Sequence, residues 1–156
     1  MDLKSDYEKL SKKYDLPDYE ELDNYFEFLY FQKLIEIKFP LRFVRRRIFD
    51  KVNSYIGFLQ NIISPNPQSL ISLEESKFFT EEEKNEMIIL LKDMMRLERK
   101  NLLMDLQSSE DEQAEFIKEA YAAWKGYKDK IYALSEKLKD TWSSETKAEK
   151  RSSIFG

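Results

Sequence analysis

Arg45-Arg46-Arg47, with Lys38, Arg42 and Lys51 on either side, is the densest cationic group in a chain of net charge −4. Such residues can contact phosphates, because neutralising a nucleic-acid backbone releases its condensed counterions. On a helix, Lys38, Arg42 and Arg46 fall near one face. Phe39, Phe43 and Phe49 lie among them and could stack on bases. RNA or DNA is therefore one candidate partner. The competing reading is a solvated face whose arginines pair with acidic neighbours and whose stems cover the core edge. The 30 acidic residues favour that second reading.

The carboxylates allow less chemistry. Glu74, Glu75, Glu81, Glu82, Glu83 and Glu86 are dense enough for an all-oxygen Mg²⁺ or Mn²⁺ site. They also stand where helix capping and the helix dipole place acids, which is the simpler account. Di-metal helical bundles pair glutamates with Glu-x-x-His, and the chain has no histidine. With no cysteine either, Ser-His and Cys-His nucleophile pairs and thiolate metal sites are ruled out. Glycine occurs only at 57, 126 and 156, so no glycine-rich loop can cradle a phosphate. Glu98 interrupts the apolar series Ile88, Leu91, Met95 and Leu102. A carboxylate there needs a structural ion-pair partner if buried. No catalytic, cofactor-binding or metal-binding residue is assigned, no cofactor is implied, and a non-enzymatic protein is expected.

Two apolar sets remain. Tyr121, Trp124, Tyr127 and Tyr132 form an aromatic band that is either core or a protein-binding patch, since Tyr and Trp are favoured interface anchors. Met87, Met94, Met95 and Met104 could make an adaptable binding face, although their helical spacing fits ordinary core. A protein partner or self-association is the primary expectation, with nucleic acid as the alternative.

Five [S/T/D]-x-x-E signatures mark helix starts. Ser5 to Glu8 opens a helix over Asp6 to Tyr14, which Pro17 stops. Asp18 to Glu21 opens a second. Residues 28–39 are ambiguous: Leu34-Ile35-Glu36-Ile37-Lys38 alternates like a strand, but no partner strand exists, so helix or irregular chain is expected. Pro40 suits a helix start. Leu41, Val44, Ile48, Val52, Ile56, Leu59 and Ile63 then form one stripe, and Ser64-Pro65-Asn66-Pro67 ends it. Ser72 to Glu75 marks a short helix. Thr80 to Glu83 opens a helix to about Leu106, expected to be the most buried. Ser109 to Glu112 opens the last, to about Trp142, with the stripe Ile117, Tyr121, Trp124, Tyr127, Ile131, Leu134, Leu138 and Trp142. Gly57 and Gly126 interrupt long helices and are expected to admit close helix packing.

The fold class is therefore all-α: an antiparallel bundle of three long helices, near 40–63, 81–106 and 110–142, with one or two short N-terminal helices. Residues 1–142 form a single domain and 143–156 a mobile C-terminal tail. The charged stretch from Met1 to Tyr14 is no signal peptide. Phe26 to Val44 is broken by Glu27, Lys33, Glu36, Lys38, Pro40 and Arg42 and is no membrane span. A cytoplasmic setting fits the lack of cysteine.

Leu16-Pro17-Asp18-Tyr19-Glu20-Glu21-Leu22, Arg45-Arg46-Arg47-Ile48, Phe78-Phe79-Thr80-Glu81-Glu82-Glu83-Lys84 and Glu115-Phe116-Ile117-Lys118-Glu119 resemble uncharacterised archaeal all-helical proteins across roughly residues 16 to 142. The resemblance implies a cytosolic helical protein and imports no activity.

Overall fold

A computed structural model describes the backbone of residues 2–155 and the side chains of 2–144. Among these residues the chain is all-helical: α1 (Leu3–Tyr14), α2 (Tyr19–Phe26), α3 (Phe28–Gln32), α4 (Pro40–Ile63), α5 (Leu70–Lys77), α6 (Glu81–Leu106) and α7 (Glu110–Phe155). No described helix is long and apolar enough to cross a membrane.

The helix starts follow side-chain chemistry. Thr80 and Glu83 form a reciprocal capping box at α6, and Ser109 and Glu112 exchange the same pair of bonds at α7. Asp18 caps α2 by accepting from the Glu21 amide at 3.1 Å. Two expected starts shift by three residues. Asp2, not Ser5, caps α1, and Ser69, not Ser72, caps α5. In both cases an earlier acceptor reaches the free amides of the first turn, so the helix begins sooner. The backbone of α7 continues beyond Trp142 to Phe155. The side chains of the expected mobile tail lie, from residue 145 onward, outside the described residues.

The ambiguous stretch resolves into two parts. Residues 28–32 form the short helix α3, and 33–39 are irregular. Glu27 separates α2 from α3 with left-handed dihedrals, φ 56° and ψ 45°. Pro40 then starts α4 at its first turn, as its missing amide allows.

The helix α4 is the packing centre. It buries Leu41, Val44, Ile48, Phe49, Val52, Ile56, Leu59 and Ile62 and meets α6 and α7 more extensively than those two meet each other. The expectation that α6 is the most buried helix is corrected. It buries a single stripe, Met87, Leu90, Met94, Leu97 and Asn101, and leaves Ile89, Leu102, Leu103 and Leu106 exposed. A helix docked on one side can bury only about a third of its surface, so its surplus leucines face water. Along α6 and α7, Glu83 pairs with Lys137, Asp93 with Tyr127, and Glu119 with Lys100. Aromatic rings fill the space where the end of α2 meets α7: Phe26 lies 5.0 Å and Tyr25 4.6 Å from the Trp124 ring.

The glycines do not serve close packing. A β-carbon added at Gly57 or Gly126 would meet no heavy atom within 4 Å.

Candidate functional site

The arginine run divides between inside and outside. Arg45 is fully buried. It donates to the Asn101 backbone carbonyl at 3.2 Å, to the Asn101 side chain and to Asp105. A buried guanidinium must find such acceptors, because leaving it unpaired costs several kcal/mol. Arg46 is exposed and shares Asp105 at 3.2 Å. Arg47 is half-buried. Its Nε and one terminal nitrogen each donate to the Phe26 carbonyl at 3.2 Å, and the other terminal nitrogen reaches Asp50 at 2.7 Å. Its guanidinium also lies 3.6 Å from the centre of the Phe31 ring. Phe26 is the last residue of α2, so Arg47 satisfies a helix-terminal carbonyl and fixes the α2–α3 corner.

Six cations on one free face is therefore corrected. Burial and pairing occupy Arg45, Arg46 and Arg47. Lys38 is exposed, Arg42 and Lys51 are half-buried, and none of the three forms an ion pair among the described residues. Lys38, Arg42, Arg46 and Arg47 do share one depression of about 300 Å³, floored by Phe31, Phe39 and Phe43 among other residues. Lys51 lies on a separate recess beside Tyr25 and Ser54.

The aromatic band divides as well. Tyr121, Trp124 and Tyr127 are buried and belong to the core, so as a binding patch they are corrected. Tyr127 donates to Asp93. Burial is the main cause that pushes the Tyr121 and Tyr127 hydroxyls well above their usual range, with Glu21 and Asp93 respectively reinforcing it. Tyr132 alone of the four is exposed. It points within about 20° of Tyr121 around the α7 axis, but lies about three turns further along, past the α2 rings of Phe26 and Tyr25 that cover Tyr121 and Trp124. Met87 and Met94 are likewise core.

Glu98 also departs from expectation. Among the described residues it forms no ion pair; Asn53 and Asn101 are its polar neighbours, and one carboxylate oxygen is buried without a partner. Burial raises its pKa, against the pull of Asn101, Arg99 and Asn53.

One exposed apolar surface is not among the expected site residues. Leu29, Tyr30, Leu34, Ile35 and Phe39 are each more than half exposed. They lie within eleven positions of each other, on α3 and the irregular chain that follows. Their signal was the strand-like alternation at 34–38, an apolar run with no internal partner. A buried anchor holds the segment in place: Phe28 is inaccessible to solvent and packs 5.6 Å from both Tyr19 and Phe43. Asp23 accepts from the Leu29 amide at 2.9 Å and so caps α3. Lys38, Arg42 and Arg46 border this apolar strip.

A second apolar groove, about 470 Å³, runs between α6 and α7 beside Met87, Ile89, Leu90 and Leu134. The Lys137–Glu83 pair joins two of its lining residues. No group of three or more metal-ligating side chains converges among the described residues.

No protein-family model, no curated protein and no solved structure matches the chain.

Proposed function

We propose that this chain is a non-enzymatic interaction protein, with the exposed strip Leu29, Tyr30, Leu34, Ile35 and Phe39 as its docking surface. The observation that carries the reading is that these five large apolar side chains are held in water by a well-anchored corner. Clustered exposed apolar surface of this kind marks interaction sites in soluble proteins. The occupant is an acidic protein segment with apolar anchors, because Lys38, Arg42 and Arg46 border the strip and complement negative charge. The three long helices act as an antiparallel bundle that presents this corner. The opposed order of the α6–α7 pairs supports that arrangement. The cysteine-free composition supports a cytoplasmic setting.

Photo-crosslinking from position 30 in native cells tests the reading. Crosslinks to an acidic, apolar-anchored segment that vanish in an Ile35→Asp, Phe39→Asp variant support it. Crosslinks to a second copy of the chain, lost in the same variant, make self-association the function of the strip. Crosslinks indifferent to the substitutions, or only to nuclease-sensitive material, overturn it. A nucleic-acid role keeps one specific support, that Lys38 and Arg42 have no carboxylate partner among the described residues. The internal bonding of Arg45 and Arg47 weakens it.

A further inference from the structure

The first turn of α4 opens on a recess of about 280 Å³, lined by Lys38, Arg42, Glu110 and Gln113 together with Leu10 of α1. Three independent features meet there. The first is an uncapped helix start. Phe39 precedes α4 and offers no side-chain acceptor, no acid lies in the first turn, and Pro40 has no amide hydrogen. The amides of Leu41 and Arg42 thus carry the positive end of a 24-residue helix without a side-chain cap. The second is positive charge with no carboxylate to neutralise it. Neither Lys38 nor Arg42 has a carboxylate partner among the described residues, and the Arg42 Nε is buried with no acceptor. The third is Gln113 on α7. It is only 8% exposed, yet its carboxamide oxygen has no hydrogen-bond partner. A buried polar atom left open costs free energy unless something fills it.

Glu110 is the one carboxylate on the recess, and it is already engaged. It accepts from the Tyr14 hydroxyl at 2.7 Å and from Lys13 at 3.3 Å.

We propose that this recess binds a phosphate-bearing ligand. Lys38 and Arg42 supply charge, and the Leu41 and Arg42 amides meet the phosphate oxygens. The Gln113 oxygen accepts from a phosphate hydroxyl, a donor that sulfate lacks at neutral pH. The inference does not rest on the docking reading, although Lys38, Phe39 and Arg42 line both surfaces and a bound phosphate would compete with an acidic segment there. The phosphate is inorganic phosphate or the singly protonated group of a small phosphorylated molecule, because a nucleic-acid phosphodiester has no hydroxyl to donate to Gln113.

The test is a backbone-amide NMR titration of the full chain at low salt with inorganic phosphate, a nucleoside monophosphate and a short single-stranded oligouridylate. Saturable shifts centred on Leu41 and Arg42 are expected, stronger with phosphate than with sulfate. Lys38→Ala and Arg42→Gln should each weaken binding about tenfold, in line with loss of one charge-assisted hydrogen bond. Gln113→Leu should remove the preference for phosphate over sulfate. If the oligouridylate binds more tightly than phosphate, with an affinity falling steeply in salt, general backbone attraction explains the binding and the proposal is overturned. If inorganic phosphate or the monophosphate binds more tightly than the oligouridylate, the proposal stands. Shifts spread across the chain and reproduced by chloride overturn the proposal. So does undiminished affinity in Lys38→Ala, whose exposed position leaves folding intact.

Discussion

Arg45 of α4 and Asp105 of α6 form an ion pair in which the guanidinium is fully buried while the carboxylate keeps 29% of its side chain in contact with solvent. The asymmetry makes Arg45 the dependent partner. Asn101 supplies two further acceptors, so the bond set ties early α4 to late α6.

Replacing Arg45 by Ala should therefore destabilise the fold by about 3–5 kcal/mol, since it leaves a cavity and strands Asn101 and Asp105. Arg45→Met, which keeps the volume, should cost less than Arg45→Ala. Arg46→Ala should change stability by less than about 1 kcal/mol, because its pair is exposed. Urea unfolding of the three variants ranks them. Burial opposes the Asp105 charge, but Arg45 and Arg46 hold its carboxyl below the usual carboxylate range. The pair's contribution is present above the unfolded carboxylate pKa of about 4 and is lost as pH falls through the lowered folded value.

Glu98 carries the opposite sign. Its raised carboxyl pKa means that the folded state disfavours the charge. Its contribution is most favourable below the unfolded pKa and is lost as pH rises through the folded value. Glu98→Gln should raise the urea midpoint at pH 7 and leave it nearly unchanged near pH 4, where the wild-type carboxyl is largely protonated. A lower midpoint at pH 7 would show that Glu98 holds a favourable charged contact.

Gly57→Ala and Gly126→Ala should each stabilise the protein by about 0.5–1 kcal/mol. The added methyl group meets nothing, and alanine restricts the unfolded chain while favouring helix. Glu27→Gly should be neutral or stabilising by about 1 kcal/mol, because Glu27 holds a left-handed conformation that glycine adopts without strain. Thermal unfolding of the single variants distinguishes these cases.

Trp124→Ala should cost about 3–5 kcal/mol, as expected for emptying a large buried site. Tyr132→Ala should stay within about 0.5 kcal/mol. If both variants unfold at similar denaturant concentration, the division of the aromatic band between core and surface is wrong.

The sequence by itself determined the class and the main punctuation. Capping boxes at Thr80 and Ser109, Pro40 at a first turn and the stripe from Leu41 to Ile63 are local signals. A helix responds to its own caps and to a 3.6-residue period. Local chemistry does not say which of several apolar residues the neighbouring elements cover. It therefore left open that α6 would expose Leu102, Leu103 and Leu106, and that Tyr132 would leave the core while Trp124 entered it. The same limit applies to charge. Arg45, Arg46 and Arg47 are consecutive in sequence, but the 100° step between helical residues points them in different directions. Only the arrival of α6 and the α2–α3 corner decided that Arg45 would be buried, that Arg46 would stay in water and that Arg47 would grip a helix-terminal carbonyl. Tertiary contact likewise brought Gln113 beside Lys38 and Arg42, because residues more than seventy positions apart meet only where α7 packs against the start of α4.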